Sequence, residues 1–102
     1  MIYRILLNTK ADFSAPDTVY LDNFNEVGTI EANSKGEAYI FLNLIVNVTY
    51  KETINRGYRI NLELDEGSKL RQIVPGDVLV DENNVSYILT PAYVWSVVKM
   101  VI

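Results

Sequence analysis

Histidine and cysteine are both missing from this sequence. Their absence removes disulfides, thiolate nucleophiles, cysteine-ligated zinc and imidazole acid–base chemistry together. An enzyme built on this chain has only carboxylates, lysine, serine or tyrosine to work with. Proline (three) and glycine (five) are scarce and stand apart, so there is neither a flexible linker nor a glycine-rich phosphate loop. The longest apolar stretch, Ala38–Val48, is interrupted by Asn43 and Asn47 and is too short to span a bilayer. The apolar start, Met1–Leu7, stops at Asn8 and Lys10, short of a signal-peptide core. We therefore expect an intracellular protein with no membrane association.

What is present is the composition of an ordinary globular domain. In 102 residues, 49% are hydrophobic and 22% charged, which suits one domain over 1–102 with a single buried core. The formal charge of −4 disfavours nucleic acid as a partner, because phosphate neutralisation needs clustered cations. The nearest approach to such a cluster is Lys51, Arg56 and Arg59 with Lys69 and Arg71.

Along the chain, Ile2–Asn8 reads as a first, central strand. Residues 10–17, with Asp12, Ser14, Pro16 and Asp17, read as a loop. Thr18–Asp22 and Glu26–Ala32 read as a hairpin, with Gly28 at a bulge. Ser34-Lys35-Gly36-Glu37 fits a capping box, and Ala38, Phe41, Leu42 and Ile45 follow at helical spacing, which predicts a helix over 34–46. A buried strand is the rival reading there. Val48–Ile54 and Tyr58–Leu64 alternate and predict a second hairpin around Asn55-Arg56-Gly57. Pro75-Gly76 fits a type II turn, and Asn83-Asn84 a tight turn between strands over 73–81 and 85–90. Residues 92–102 are expected to form a final strand, favoured by Val94, Val97, Val98 and Val101, with a helix as the rival reading. Together these elements predict an α+β domain: an antiparallel sheet of about six to seven strands with one helix, 34–46, packed on it after the third strand.

Few residues offer chemistry. Ser68 with Lys69 and Ser96 with Lys99 are the nearest nucleophile–base pairs, and both are better read as turn and surface residues. Carboxylates suited to a hard cation are Asp77, Asp81 and Glu82, or Asp12 and Asp17, with solvated turn carboxylates as the simpler reading. No catalytic residue, metal ligand or cofactor is assigned. The seven tyrosines and single tryptophan are more informative. Tyr87, Tyr93 and Trp95 fall together near the C-terminus, as aromatics do at binding hot spots, although Trp95 suits a core position equally.

Ile73-Val74-Pro75-Gly76-Asp77-Val78-Leu79-Val80 resembles the "PGD-V" turn of SH3-like small barrels, and more loosely that of LexA-type peptidases and Hint domains. The catalytic partners of the last two are not recognisable, so no site is carried over. The chain as a whole, rich in Ile, Tyr and Asn, with Val27–Ser34 leading from a hairpin into a capped helix, resembles small accessory proteins of prokaryotic viruses and mobile elements. That resemblance implies a protein of the host cytoplasm that acts by binding a host or viral macromolecule. The leading expectation is a non-enzymatic protein-binding module, homodimeric, with an uncovered C-terminal strand and Tyr87, Tyr93 and Trp95 at its interface. The alternatives are a small carboxylate-based metal binder or enzyme near Asp77, Asp81 and Glu82, and a nucleic-acid binder. The latter would use Lys51, Arg56, Arg59, Lys69 and Arg71, beside Tyr50 and Tyr58.

Overall fold

The first strand, β1 (Ile2–Asn8), turns Tyr3, Ile5 and Leu7 to one side and Leu6 to the other, all of them buried. A strand apolar on both faces belongs in the middle of a sheet. In the computed structural model, which describes residues 1–10 and 14–102, β1 pairs antiparallel with β3 (Phe24–Glu31) and β5 (Val78–Val80). β5 pairs with β6 (Ser86–Leu89), and β6 with β7 (Trp95–Val101), both antiparallel. At the margins, β2 (Thr18–Tyr20) runs parallel to the end of β7, and β4 (Ile60–Leu62) antiparallel to β3. The seven strands lie in the order β2-β7-β6-β5-β1-β3-β4.

This order cannot be flat. β2 and β3 stand five intervals apart, about 24 Å at about 4.8 Å per interval. Yet only Leu21–Asn23, one 3-10 turn, joins them, and Tyr20 to Phe24 spans at most about 14 Å even when extended. The sheet therefore rolls up, bringing β2 towards the start of β3. Leu6, Val19, Val78, Val80, Ile88 and Val98 form one core, with Leu21, Phe24 and Met100 packed against it. The second, larger core lies between the other sheet face and the helices, where Ile5, Leu7, Leu79 and Leu89 meet Ala38, Leu42 and Ile45. The roll is eased by a bulge. The β1–β3 register slips between Ile5 and Leu6, leaving Val27 as the extra residue beside Gly28. Gly28 has φ 144°, and a Cβ there would lie 2.0 Å from the Asn61 carbonyl oxygen, so no other residue fits.

Helix α1 (Lys35–Leu44) forms as its cap predicts. The Ser34 hydroxyl accepts from the Glu37 N–H at 3.1 Å. The Glu37 carboxylate accepts from the backbone N–H of Asn33 (3.1 Å) and from its side-chain amide (3.3 Å), one residue earlier than in the usual capping box.

Two expectations fail. Residues 48–54 are not a strand: Tyr50–Asn55 is a second helix, α2. Its Thr49 cap accepts from the Glu52 N–H at 3.3 Å, and Gly57, at φ 87°, closes the turn rather than a hairpin loop. Of the expected partner strand, 58–64, only β4 forms, and it pairs with β3. Likewise 18–22 and 26–32 are not a hairpin. The 3-10 turn redirects the chain, β3 is taken up by β1 and β4, and β2 docks Val19 into the rolled core beside β7. Part of the expected 10–17 loop, including Asp12, lies outside the described residues. Among the described residues no helix is long and apolar enough to cross a membrane.

The first cap carries a measurable weight. Ser34→Ala should lower the free energy of unfolding by about 1 kcal/mol, read from urea denaturation. A change within error would show that α1 is held by packing alone.

Candidate functional site

Of the carboxylates singled out near the Pro-Gly turn, Asp77 and Asp81 are not solvated. Asp77 is 1% exposed, and both of its oxygens are occupied. Arg71 grips it bidentately, Nη2 to Oδ1 and Nη1 to Oδ2, each at 2.8 Å. The backbone N–H groups of Asn8 and Val74 donate to Oδ1 and Oδ2, also at 2.8 Å. Four N–H donors therefore satisfy a charge whose burial would otherwise cost several kcal/mol. The hydrogen bonds that Arg71 donates to Asp77 raise the Arg71 pKa, against a smaller opposing effect of burial. Val74–Asp77 closes as a hydrogen-bonded turn, with Gly76 at φ 97° as a type II turn needs.

Asp81 is buried too, and it accepts from the N–H groups of Asn83 (2.9 Å) and Val85 (3.0 Å), which shapes the β5–β6 turn. Burial first, then the nearby Asp81, raises the pKa of the Tyr3 phenol. Glu82 accepts from the Ile2 N–H at 2.6 Å, and Asp17 is exposed in the lead-in to β2. The solvated-carboxylate expectation is thus corrected for Asp77, whose oxygens are spent on backbone and guanidinium donors, and for Asp81, which accepts from two backbone N–H groups and from the Tyr87 hydroxyl at 3.4 Å. Among the described residues no three acidic side chains gather as a cation site would need. Ser96 and Lys99 lie an odd number of residues apart on β7 and face opposite sides of the sheet.

The basic residues divide. Arg71 belongs to Asp77, Arg59 pairs with Glu31 at 3.3 Å, and Arg56 pairs with Glu52 at 3.4 Å. Lys51 is exposed on α2, and Lys69 is exposed where its backbone bridges Thr49. Tyr50 is turned inward, its hydroxyl accepting from the Leu62 N–H at 3.1 Å. Arg56, Tyr58 and Arg59 line a groove of about 540 Å³ with Glu31, Glu37 and Phe41. There Phe41 and Tyr58 pack edge to face at 5.6 Å, and each of these charged groups already has a partner.

Of the aromatic cluster, Tyr87 and Trp95 lie on one sheet face. Tyr87 stands opposite Val97 in the β6–β7 ladder, and Trp95 stands opposite Leu89. Helix α1 holds both rings: Tyr39 meets Trp95 edge to face at 6.0 Å, and the Lys35 ammonium lies 4.6 Å from the centre of the Tyr87 ring. Trp95 is half-buried against the helix-side core, so it serves packing while keeping part of its surface free. Beyond it, Tyr93 is 57% exposed, Val94 59% and Val97 70%. Val94 and Val97 were missed as surface residues, because an apolar run alone does not tell an exposed strand from a buried one. Comparison with protein-family models, with curated proteins and with solved structures gives no match.

Removing the carboxylate should be costly. Asp77→Ala leaves two backbone donors and a guanidinium unsatisfied, and is expected to destabilise the fold by about 3 kcal/mol in urea denaturation. A loss below about 1 kcal/mol would mean that the pair behaves as a surface ion pair.

Proposed function

We propose that this chain is a non-enzymatic protein-binding module whose contact surface is the C-terminal hairpin, Tyr87 and Tyr93–Val97. The observation that carries the reading is the exposure of Tyr93, Val94 and Val97 around the open end of β7, near two aromatic rings already fixed by α1. Rings immobilised before binding lose little side-chain entropy when a partner covers them. Tyr93 supports the reading independently. It sits at φ 60°, where a side chain costs about 1 kcal/mol and glycine would be free. Its exposed ring gains little packing to offset that strain, so a functional use of the ring is the economical explanation.

The same reading fits the mode of action implied by the resemblance to viral and mobile-element accessory proteins. Nucleic acid is disfavoured as the partner, since three of the five clustered cations are engaged by carboxylates.

A photo-crosslinking residue placed at position 97 tests it in extract from the cells that make the protein. Discrete protein adducts are expected from position 97, absent from a probe at position 51, and abolished when Val94→Glu is added. Adducts indifferent to probe position or to Val94→Glu would refute the surface.

A further inference from the structure

We infer that the partner is a second copy of this chain, joined by antiparallel pairing of β7 with the β7 of its mate over residues 94–98. This rests on the surface proposed above and specifies its occupant. β7 is seven residues long, yet β2 covers only Lys99, Met100 and Val101. Among the described residues, no strand lies beside the first half of its outer edge, Trp95–Val98. The opposite margin of the sheet is managed differently. There β4 is only three residues long, and its Leu62 N–H is sealed by the Tyr50 hydroxyl. Exposed edges that avoid pairing carry lysine, proline or an inward charge. Residues Tyr93–Val98 contain none of these.

The hydrogen-bonding phase of β7 suits a mate. The Thr90 N–H bonds the Val94 carbonyl, and the Lys99 N–H bonds the Asp17 carbonyl on the far side. With the alternation of an antiparallel ladder, Ser96 and Val98 spend their backbone groups on β6, while Trp95 and Val97 point theirs at the open edge. Two copies related by a two-fold axis at Ser96 then place Trp95 against Val97 of the mate, twice, and Val94 against its Val98, also twice. Each contact is aromatic with β-branched or β-branched with β-branched, the pairings that stabilise antiparallel ladders, and no like charges meet. The free segment is four residues long in each copy, so each gap is filled by the other.

The absence of native cysteine supplies the test. Ser96 would face Ser96 of the mate as a non-hydrogen-bonded pair, with Cα atoms about 4.5 Å apart, within the disulfide range of about 4.4–6.8 Å. Oxidised Ser96→Cys is expected to run mainly at doubled mass on a non-reducing gel, while Glu66→Cys stays monomeric. Unmodified protein should sediment as a dimer at micromolar concentration, and Val97→Pro as a folded monomer, because it deletes a donor used only between copies. Val97→Lys, which leaves the backbone intact, replaces the proline variant if that variant fails to fold. A monomeric wild-type protein, a dimer in which Ser96→Cys does not crosslink, or a dimer indifferent to Val97→Lys overturns the inference. If position 97 still crosslinks to a different protein, the binding-module reading survives while self-pairing falls.

Discussion

A buried carboxylate, Asp77, fastens the irregular segment before β5 to the ends of β1 and β6. Its side chain holds the end of β1 through the Asn8 N–H, and the irregular segment before β5 through Arg71 and the Val74 N–H. Its carbonyl accepts from the Leu89 N–H at 2.9 Å, which adds the end of β6. Residues 63–77 contain no helix or strand, yet they place Leu70 and Ile73 in the helix-side core. A segment of that length would be loose without an anchor, since fixing each residue costs about 1–2 kcal/mol of conformational entropy. Charge-assisted bonds in a site shielded from water are the strongest available substitute for a ladder.

The rolled sheet follows from how short the links are. β2 runs parallel to β7 and begins with Thr18 opposite Lys99, so it covers only the C-terminal end of that strand. Exposed valines and a tyrosine lie beside the half of that edge that β2 leaves open, and they are the basis of the proposed contact surface.

Much of this was legible in the sequence. β1, the 34–46 helix, the bulge at Gly28, the Pro75-Gly76 turn and the C-terminal strand each had a local cause: apolar on both faces, a cap, a glycine at positive φ. The failures were of two kinds. At 48–54, alternation and helix signals coexist in the same residues, and the overlooked Thr49-x-x-Glu52 cap was the deciding one. At 18–32 the wrong pairing was chosen, because which strands become neighbours is set by long-range packing that no local pattern encodes. Of Tyr87, Tyr93 and Trp95, the β6–β7 ladder sets Tyr87 and Trp95 on one face, since two strands joined by a short turn bring near residues together. The spent state of Asp77 was invisible, because Arg71 and Asn8 lie on different elements and a carboxylate beside a turn looks solvated by default.

Hydrogen exchange tests the role of Asp77 most directly. The Val74 N–H lies in a segment without regular structure, where an amide ordinarily exchanges through small local openings. If the carboxylate anchors this segment, the amides of Val74 and Asn8 should exchange only with global unfolding, at the same free energy as Leu6 in the middle of β1. Val74 exchanging orders of magnitude faster than Leu6 would show that the segment opens on its own and that Asp77 does not hold it.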